Sequence, residues 1–320
     1  MPTQEHIVNK RTAHRKHRWA IIEMVVAVLF FSTTEITLAR IQEITPASRP
    51  MVIYIQEPHV NAEAQQQLVV LLQRLIAQRG LRLILVEGGY GDVSLTPFVR
   101  GTTLERRQQV AQVYLQSGLL SGEEYLNVVS NAPLTLWGVE DRRLYDENVQ
   151  ALLSADTVRQ RVRPIVERWH HISGITGQAS ELVNLLERCV NLRLAADEYQ
   201  RLRSALSAPT RHGLDTLPDW RIVEAALPQL MRFYDIARAR DEALANNTLA
   251  KLADTQDRIV VLITGGFHST GIMKRLVEQG VGVIGVELAG QQPINDERYY
   301  AVLKYKQALE KVFTPARKIG

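Results

Sequence analysis

Residues 51–89 read MVIYIQEPHVNAEAQQQLVVLLQRLIAQRGLRLILVEGG, and this stretch decides the fold class. It opens with an apolar, β-branched run that is typical of a buried strand, and the proline after Glu57 ends that run. Asn61 is a favourable helix N-cap, and the leucines after it recur at helical spacing up to Gly80, a natural C-terminal stop. A second apolar run over 81–86 completes a strand–helix–strand unit, which predicts two parallel, neighbouring strands.

The rest of the chain continues this alternation of apolar runs and helical periodicity. Strands are predicted over 134–139, 258–264 and 281–288, and helices over 101–130, 270–279 and 296–312. Helical periodicity dominates 145–253, with breaks at 174–177 and 209–218, which predicts a large helical insertion. We therefore expect one α/β domain over 51–320, with a mostly parallel sheet and helices on both of its faces.

The first 39 residues have the pattern of an export segment. Basic residues over 10–18 precede an apolar run over 19–31, and small residues follow up to Ala39. This is the order of a secretory signal, and the run is shorter than the roughly 20 residues of a spanning helix. A signal peptide or membrane anchor is predicted over 1–39 and a linker over 40–50, with the domain exported or held at the membrane.

Charge and cysteine content narrow the choice of function. The chain has 38 Lys and Arg against 34 Asp and Glu, a formal charge of +4, without the basic stripe that is typical of nucleic-acid binding. The single cysteine, Cys189, excludes an intrachain disulfide. Its leucine-rich helical setting predicts an inert, buried thiol.

Four predicted strands end in chemically capable residues: His59, Glu87, Glu140 with Asp141, and His268. Parallel strands finish on one side of a sheet, where α/β proteins bind ligands, and neighbouring strands are only about 4.8 Å apart. The set suits either a divalent metal ion held by His59, Glu87, Glu140 and His268, or a metal-free site in which a histidine takes a proton. Each residue alone is more typical of an ordinary loop, so the prediction depends on the joint pattern.

Residues near these strand ends are predicted to bind the substrate. Gly265 and Gly266 allow a close backbone approach, and they lack the lysine and the spacing of a nucleotide-binding loop. Arg240 and Asn247 lie on one face of a predicted helix, where they could hold an anionic or carbonyl-bearing substrate or stabilise developing charge. The alternative for this helix is a solvated charged face. Asp141 completes the predicted substrate-binding set.

Five segments carry a resemblance to a known superfamily. They read IQEPHVNAEAQ (55–65), VEGGYGD (86–92), SGEEYLN (121–127), GVED (138–141) and TGGFHSTGI (264–272). They resemble the erythromycin esterase, ChaN-like and TIKI–TraB superfamily, and more closely an uncharacterised bacterial branch with the TGGFH and VEGG motifs. The resemblance implies functional roles for His59, Glu87, Arg240 and His268, and it matches Glu140 and Asp141 to the closer branch alone. Two features depart from the superfamily: Glu57-Pro58 precedes His59, and the lipobox cysteine of a ChaN-type lipoprotein is absent.

The resemblance implies a shared fold with several uses: a metal-free His/Glu esterase, a divalent-metal protease or a haem-associated lipoprotein. The leading hypothesis is an extracytoplasmic hydrolase of ester or amide bonds that acts on a small-molecule or peptide substrate, with or without a divalent metal ion. One alternative is a metal- or haem-binding protein without catalysis. Another is a surface interaction module that works through the helices of 145–253.

Overall fold

A seven-stranded sheet forms in the described part of the computed structural model, which covers residues 39–45, 50–57, 61–172, 174–208, 211–265 and 269–288. The strands are β1 (Ala39–Thr45), β2 (Met51–Glu57), β3 (Leu83–Val86), β4 (Tyr90–Asp92), β5 (Thr135–Val139), β6 (Ile259–Gly265) and β7 (Gly282–Leu288). Their order across the sheet is β1-β7-β2-β6-β3-β5-β4.

The inner strands of this sheet are parallel. β7, β2, β6, β3 and β5 pair in parallel, whereas β1 and β4 pair antiparallel at the two edges. β6 is buried at every residue, as a strand with two covered faces must be. The predicted α/β fold with a mostly parallel sheet is therefore confirmed.

One detail of the predicted topology is wrong. β2 and β3 were expected to be neighbours, but β6 lies between them and pairs with both. An uninterrupted apolar strand such as β6 gains most from a central position, because there both of its faces leave water. Nothing in the local sequence of residues 51–89 encodes this, since the pairing partner comes about 170 residues later or more in the chain.

The helices follow the strands in the predicted alternation. They are α1 (Ala62–Arg79), α2 (Leu104–Ser117), α3 (Gly122–Val129), α4 (Arg142–Trp169), α5 (Gly177–Val190), α6 (Ala196–Ser207), α7 (Trp220–Asp254) and α8 (Ser269–Glu278), with short 3-10 helices at Thr96–Val99 and Arg211–Thr216. The predicted ends of α1 are confirmed. The Asn61 side chain accepts hydrogen bonds from the backbone N–H groups of Glu63 and Ala64, and Gly80 adopts the left-handed conformation, φ 64°.

The described chain divides into two compact units. Unit 1 comprises the sheet and α1 to α3, and its described residues are those up to Val139, then 248–265 and 276–288. Unit 2 runs from Glu140 to Asn247 and includes residues 269–275. The predicted helical stretch over 145–253 thus corresponds to α4 to α7, which begin a few residues earlier than expected.

Each unit has its own apolar core. In unit 1, one face of the sheet packs against α1, α2 and α3 through residues such as Ile53, Ile84, Val261, Leu72 and Leu126. In unit 2 the core contains Trp169, Leu186, Cys189, Tyr199 and Tyr234. Cys189 is fully buried, as predicted, and burial raises the pKa of its thiol to about 12, which disfavours the reactive thiolate.

Other predictions concern segments near the ends of the chain. Strand β1 (Ala39–Thr45) begins at the last residue of the predicted export segment and continues into the stretch 40–50 that was predicted as a linker. It pairs with β7, a partner about 240 residues away that local composition does not reveal. The predicted export segment before Ala39 and the predicted helix over 296–312 lie outside the described residues. None of the helices in the described ranges is both long and apolar enough to cross a membrane.

Gly138 provides a direct test of the β4–β5 contact. A Cβ atom at this position would overlap the backbone of Gly89 and Tyr90, which cannot yield as a flexible side chain can. We expect Gly138→Ala to lower the free energy of unfolding by about 1–3 kcal/mol. Urea unfolding of the variant would measure this. Thr135→Ala at the start of the same strand is the matched control, and equal losses in the two variants would contradict the prediction.

Candidate functional site

The candidate site predicted from the sequence lies at the carboxyl ends of the parallel strands. β2, β6 and β3 are adjacent and parallel, with Glu57 opposite Gly265 and Val86 opposite Ile263. β5 pairs in parallel with β3, and Glu140 follows β5 directly in the chain. We call the edge of unit 1 formed by Glu57, Gly265 and Glu87 the rim. The predicted common direction of these strands is therefore confirmed.

Glu87 is fixed at the rim by backbone groups of β6. Its Oε2 accepts a hydrogen bond of 2.7 Å from the Gly265 N–H, and its own N–H donates to the Ile263 carbonyl at 3.2 Å. A carboxylate held by a backbone amide is well oriented, because the amide belongs to a buried strand rather than to a mobile side chain. Gly88 follows with φ 78°, a left-handed conformation that lets the chain turn sharply away from the rim.

Three predicted site residues lie outside the described residues: His59, His268 and Gly266. In the sequence, His59 comes two residues after Glu57, and His268 comes three residues after Gly265. Their predicted roles stay predictions. Among the described residues, no group of three or more His, Cys, Asp and Glu side chains is arranged to hold a metal ion. Since two of the four predicted metal ligands fall outside that range, the metal set also stays a prediction.

Arg240 and Glu140, which the sequence singled out separately, form a buried ion pair within unit 2. Arg240 donates from Nε to Glu140 Oε1 at 3.1 Å and from Nη2 to Oε2 at 2.7 Å. Its Nη1 donates to Asn148 Oδ1 at 2.9 Å, and the Tyr145 ring centroid lies 5.4 Å from the guanidinium carbon. The two charged side chains are 5% and 0% exposed. The charge of Arg240 is thus balanced by Glu140, and its predicted role as an anion or oxyanion binder stays a prediction.

The other predicted substrate-binding residues of unit 2 contribute to local structure. Asp141 is the N-cap of α4, where its Oδ1 accepts a hydrogen bond of 2.9 Å from the Leu144 N–H. Asn247 lies on α7 and donates from Nδ2 to the Glu140 carbonyl at 3.3 Å. Both contacts explain the residues without a substrate, and their roles in substrate binding stay predictions.

A group of buried polar residues next to the rim was not predicted from the sequence. Glu57, Gln65 and Glu123 come from β2, α1 and α3, and each is less than a tenth exposed. Gln65 donates from Nε2 to Glu57 Oε2 at 2.5 Å and accepts from the Gly122 N–H at 2.6 Å. One amide group therefore connects the end of β2 to the start of α3. We call these three residues the carboxyl cluster.

α1 and α3 approach each other closely at the carboxyl cluster. A Cβ atom on Gly122 would lie 2.8 Å from the Gln65 carbonyl oxygen and 3.2 Å from the Leu68 side chain. Glycine is therefore required for this approach. The SGEEYLN segment begins α3, where Ser121 and Glu124 form a reciprocal capping box. A further signal was present: Glu123 precedes Leu126 and Asn127 by three and four residues, which places it on their buried face.

Burial and a neighbouring carboxylate set the electrostatics of the cluster. Desolvation is the largest cause that raises the pKa of Glu123 to about 8, followed by repulsion from Glu57 and then from Glu124. The Ser121 hydroxyl donates a hydrogen bond of 2.5 Å to Glu123 Oε1, and this contact lowers the pKa of Glu123. Glu123 Oε2 is buried and has no hydrogen-bond partner among the described residues. The cluster therefore favours a neutral Glu123 at neutral pH.

Comparisons with known proteins add little to these observations. No family model matches the chain, and no curated protein matches it significantly. A crystal structure of a Bacillus cereus protein is similar over 73% of this chain and 64% of its own length, with 14% identity and a TM-score of 0.31. A similarity at that level carries no argument about fold or function.

Proposed function

We propose that the chain is a hydrolase of ester or amide bonds that works at the rim. The observation that supports this most is the oriented carboxylate of Glu87, which the Gly265 N–H holds at the end of parallel strands. Ligands of parallel α/β sheets bind outside such strand ends. Acyl hydrolysis needs a base to take a proton from water and a group to orient that base, and the candidates are histidine and carboxylate.

In the proposed reaction, His59 or His268 takes the proton of the attacking water, and Glu87 orients the imidazole that does so. The same imidazole then returns the proton to the leaving alcohol or amine, so that no net proton is consumed by the protein. Arg240 is the proposed group that stabilises negative charge on the carbonyl oxygen. Because Glu140 already balances that guanidinium, we expect its contribution to be smaller than that of an unpaired arginine.

The proposal also covers where the protein works and what it acts on. The basic, apolar and small-residue order of 1–39 supports an exported or membrane-anchored protein. A small-molecule or peptide substrate is proposed, with a divalent metal ion as an optional cofactor at His59, Glu87, Glu140 and His268. These residues include the types that divalent metals bind.

The test is a panel of ester and amide substrates with the full-length chain and its histidine variants. We expect His59→Ala and His268→Ala to lower kcat/KM by about 100-fold or more, because each removes a group that transfers protons. His171→Ala, an exposed histidine of unit 2, is the matched control and should retain full activity. Circular dichroism would establish that all variants are folded.

Full activity of both His59→Ala and His268→Ala on a substrate that the wild-type chain cleaves would refute the proposed function. Elemental analysis and an absorption scan of the purified protein distinguish the alternatives. Stoichiometric metal or haem without hydrolysis would indicate a binding protein instead of an enzyme. Loss of hydrolysis on chelation, restored by one divalent metal, would support the metal-dependent form of the proposal.

A further inference from the structure

Glu123 is a buried acid, and no cation among the described residues acts on it to balance an ionised carboxylate. The charged groups that act on it are Glu57 from β2 and Glu124 from its own helix, and both are carboxylates. From α1 the neutral amide of Gln65 reaches the start of the same helix, where it is already engaged with Glu57 and Gly122. Two ionised carboxylates in one buried cluster would repel each other strongly, because little solvent screens them.

The hydrogen bonds of Glu123 point to the same conclusion. Oε1 accepts from the Ser121 hydroxyl, whereas Oε2 is buried without a partner. A carboxylate shares its charge over both oxygens, so an ionised Glu123 would leave charge on a buried oxygen that accepts no hydrogen bond from the described residues. A proton on Oε2 removes that charge. The N-terminal position of Glu123 on α3 favours a negative charge, but this effect is small beside burial and repulsion.

From these contacts we propose that Glu123 is a proton-binding site: it holds a proton at neutral pH and, by releasing it, weakens the attachment of α3 to the end of β2. Only one negative charge then occupies the cluster, on Glu57, where the Gln65 amide hydrogen-bonds it. When Glu123 ionises, the repulsion between the carboxylates of Glu57 and Glu123 decreases most readily if the two side chains move apart. Since Gln65 joins both β2 and the N-terminus of α3, that separation breaks its hydrogen bonds.

This proposal is independent of the proposed hydrolase function, because it concerns a residue that takes no part in the reaction described above. Its consequence is a connection between pH and the rim. Glu57 is both a rim residue and a member of the carboxyl cluster, so the protonation of Glu123 determines how firmly the end of β2 is held.

The test is infrared spectroscopy of the full-length chain, which separates the C=O stretch of a protonated carboxyl from the bands of ionised carboxylates. We expect the wild-type chain at pH 6 to show a protonated-carboxyl band that is absent in Glu123→Gln. This band should disappear as the pH rises past about 8. Glu63→Gln on the exposed first turn of α1 is the matched control and should keep the band.

A second variant keeps the proposal testable if Glu123→Gln fails to fold. Glu57→Gln removes the repelling charge but keeps the shape of the side chain, so the band should titrate about one pH unit lower or more. A wild-type chain without the band at pH 6 would overturn the proposal. So would a stoichiometric divalent cation that is lost in Glu123→Gln, since a cation rather than a proton would then neutralise the cluster.

Discussion

Replacing Glu140 by alanine should lower the free energy of unfolding of unit 2 by about 3–5 kcal/mol, because it leaves the buried guanidinium of Arg240 without its counter-charge. Both carboxylate oxygens of Glu140 accept from Arg240, and the pair is almost fully excluded from water. Water cannot enter to replace the carboxylate without opening the contact between α4 and α7. Urea unfolding followed by tryptophan fluorescence would measure the loss, since Trp169 and Trp220 lie in this unit.

An exposed ion pair on α4, the helix that begins just after Glu140, is the control. Glu147 pairs with Arg143 at 2.7 Å, but the side chains are 38% and 71% exposed. Glu147→Ala should therefore cost less than about 0.5 kcal/mol. Removing both buried partners, in Glu140→Ala with Arg240→Ala, should cost less than the sum of the single variants, because no charge is then left unpaired. Equal losses in Glu140→Ala and Glu147→Ala would contradict this account.

The second large effect concerns pH. Glu123 keeps its proton in the folded chain up to a pKa of about 8, whereas in the unfolded chain it ionises near its ordinary value of 4.5. Between these values the folded state binds more protons than the unfolded state, so a rise in pH favours unfolding. The stabilising effect is therefore fully present below pH 4.5 and is lost progressively as the pH approaches 8. For one proton the loss amounts to at most about 1.4 kcal/mol per pH unit.

Comparison with Glu123→Gln isolates this effect from all other titrations. The difference in unfolding free energy between the wild-type chain and the variant should shrink or reverse from pH 5 to pH 8, and then stay constant. Urea unfolding at several pH values in that range measures it. If the unfolding free energies of the wild-type chain and Glu123→Gln differed by the same amount at every pH, Glu123 would bind no more protons in the folded state than in the unfolded state.

The local features of the fold were predictable from sequence because they depend on neighbouring residues. Asn61 and Gly80 mark the ends of α1 through their own side-chain and backbone properties, and Ser121 does the same for α3. β6 was predicted within one residue of its observed end from an apolar run alone. Its position between β2 and β3 depends on which distant strands it pairs with, and the periodicity within one segment carries no information about those partners.

In the candidate site, too, local sequence identified individual residues but not the contacts that depend on the tertiary structure. The sequence located Glu87 and Glu140 because each follows a recognisable strand, and it found Arg240 on a helix. It could not reveal that Arg240 and Glu140, which are 100 positions apart in the chain, pair with each other. Nor did it identify Glu123, since an acid in the first turn of a helix is usually an exposed residue that favours the helix dipole. Burial by α1 and β2 changes its role, and burial is a property of the tertiary structure.

The strand order also constrains how the polypeptide assembles during synthesis. Met51 pairs with Ile259, so the middle of the sheet stays incomplete until about 200 further residues have left the ribosome. The helices of unit 2 are made before β6 and bury an apolar core of their own. We expect these helices to fold first, while β2 and β3 still lack β6, the strand that pairs with both of them. We expect the nascent chain to be most prone to aggregation just before β6 and β7 are translated.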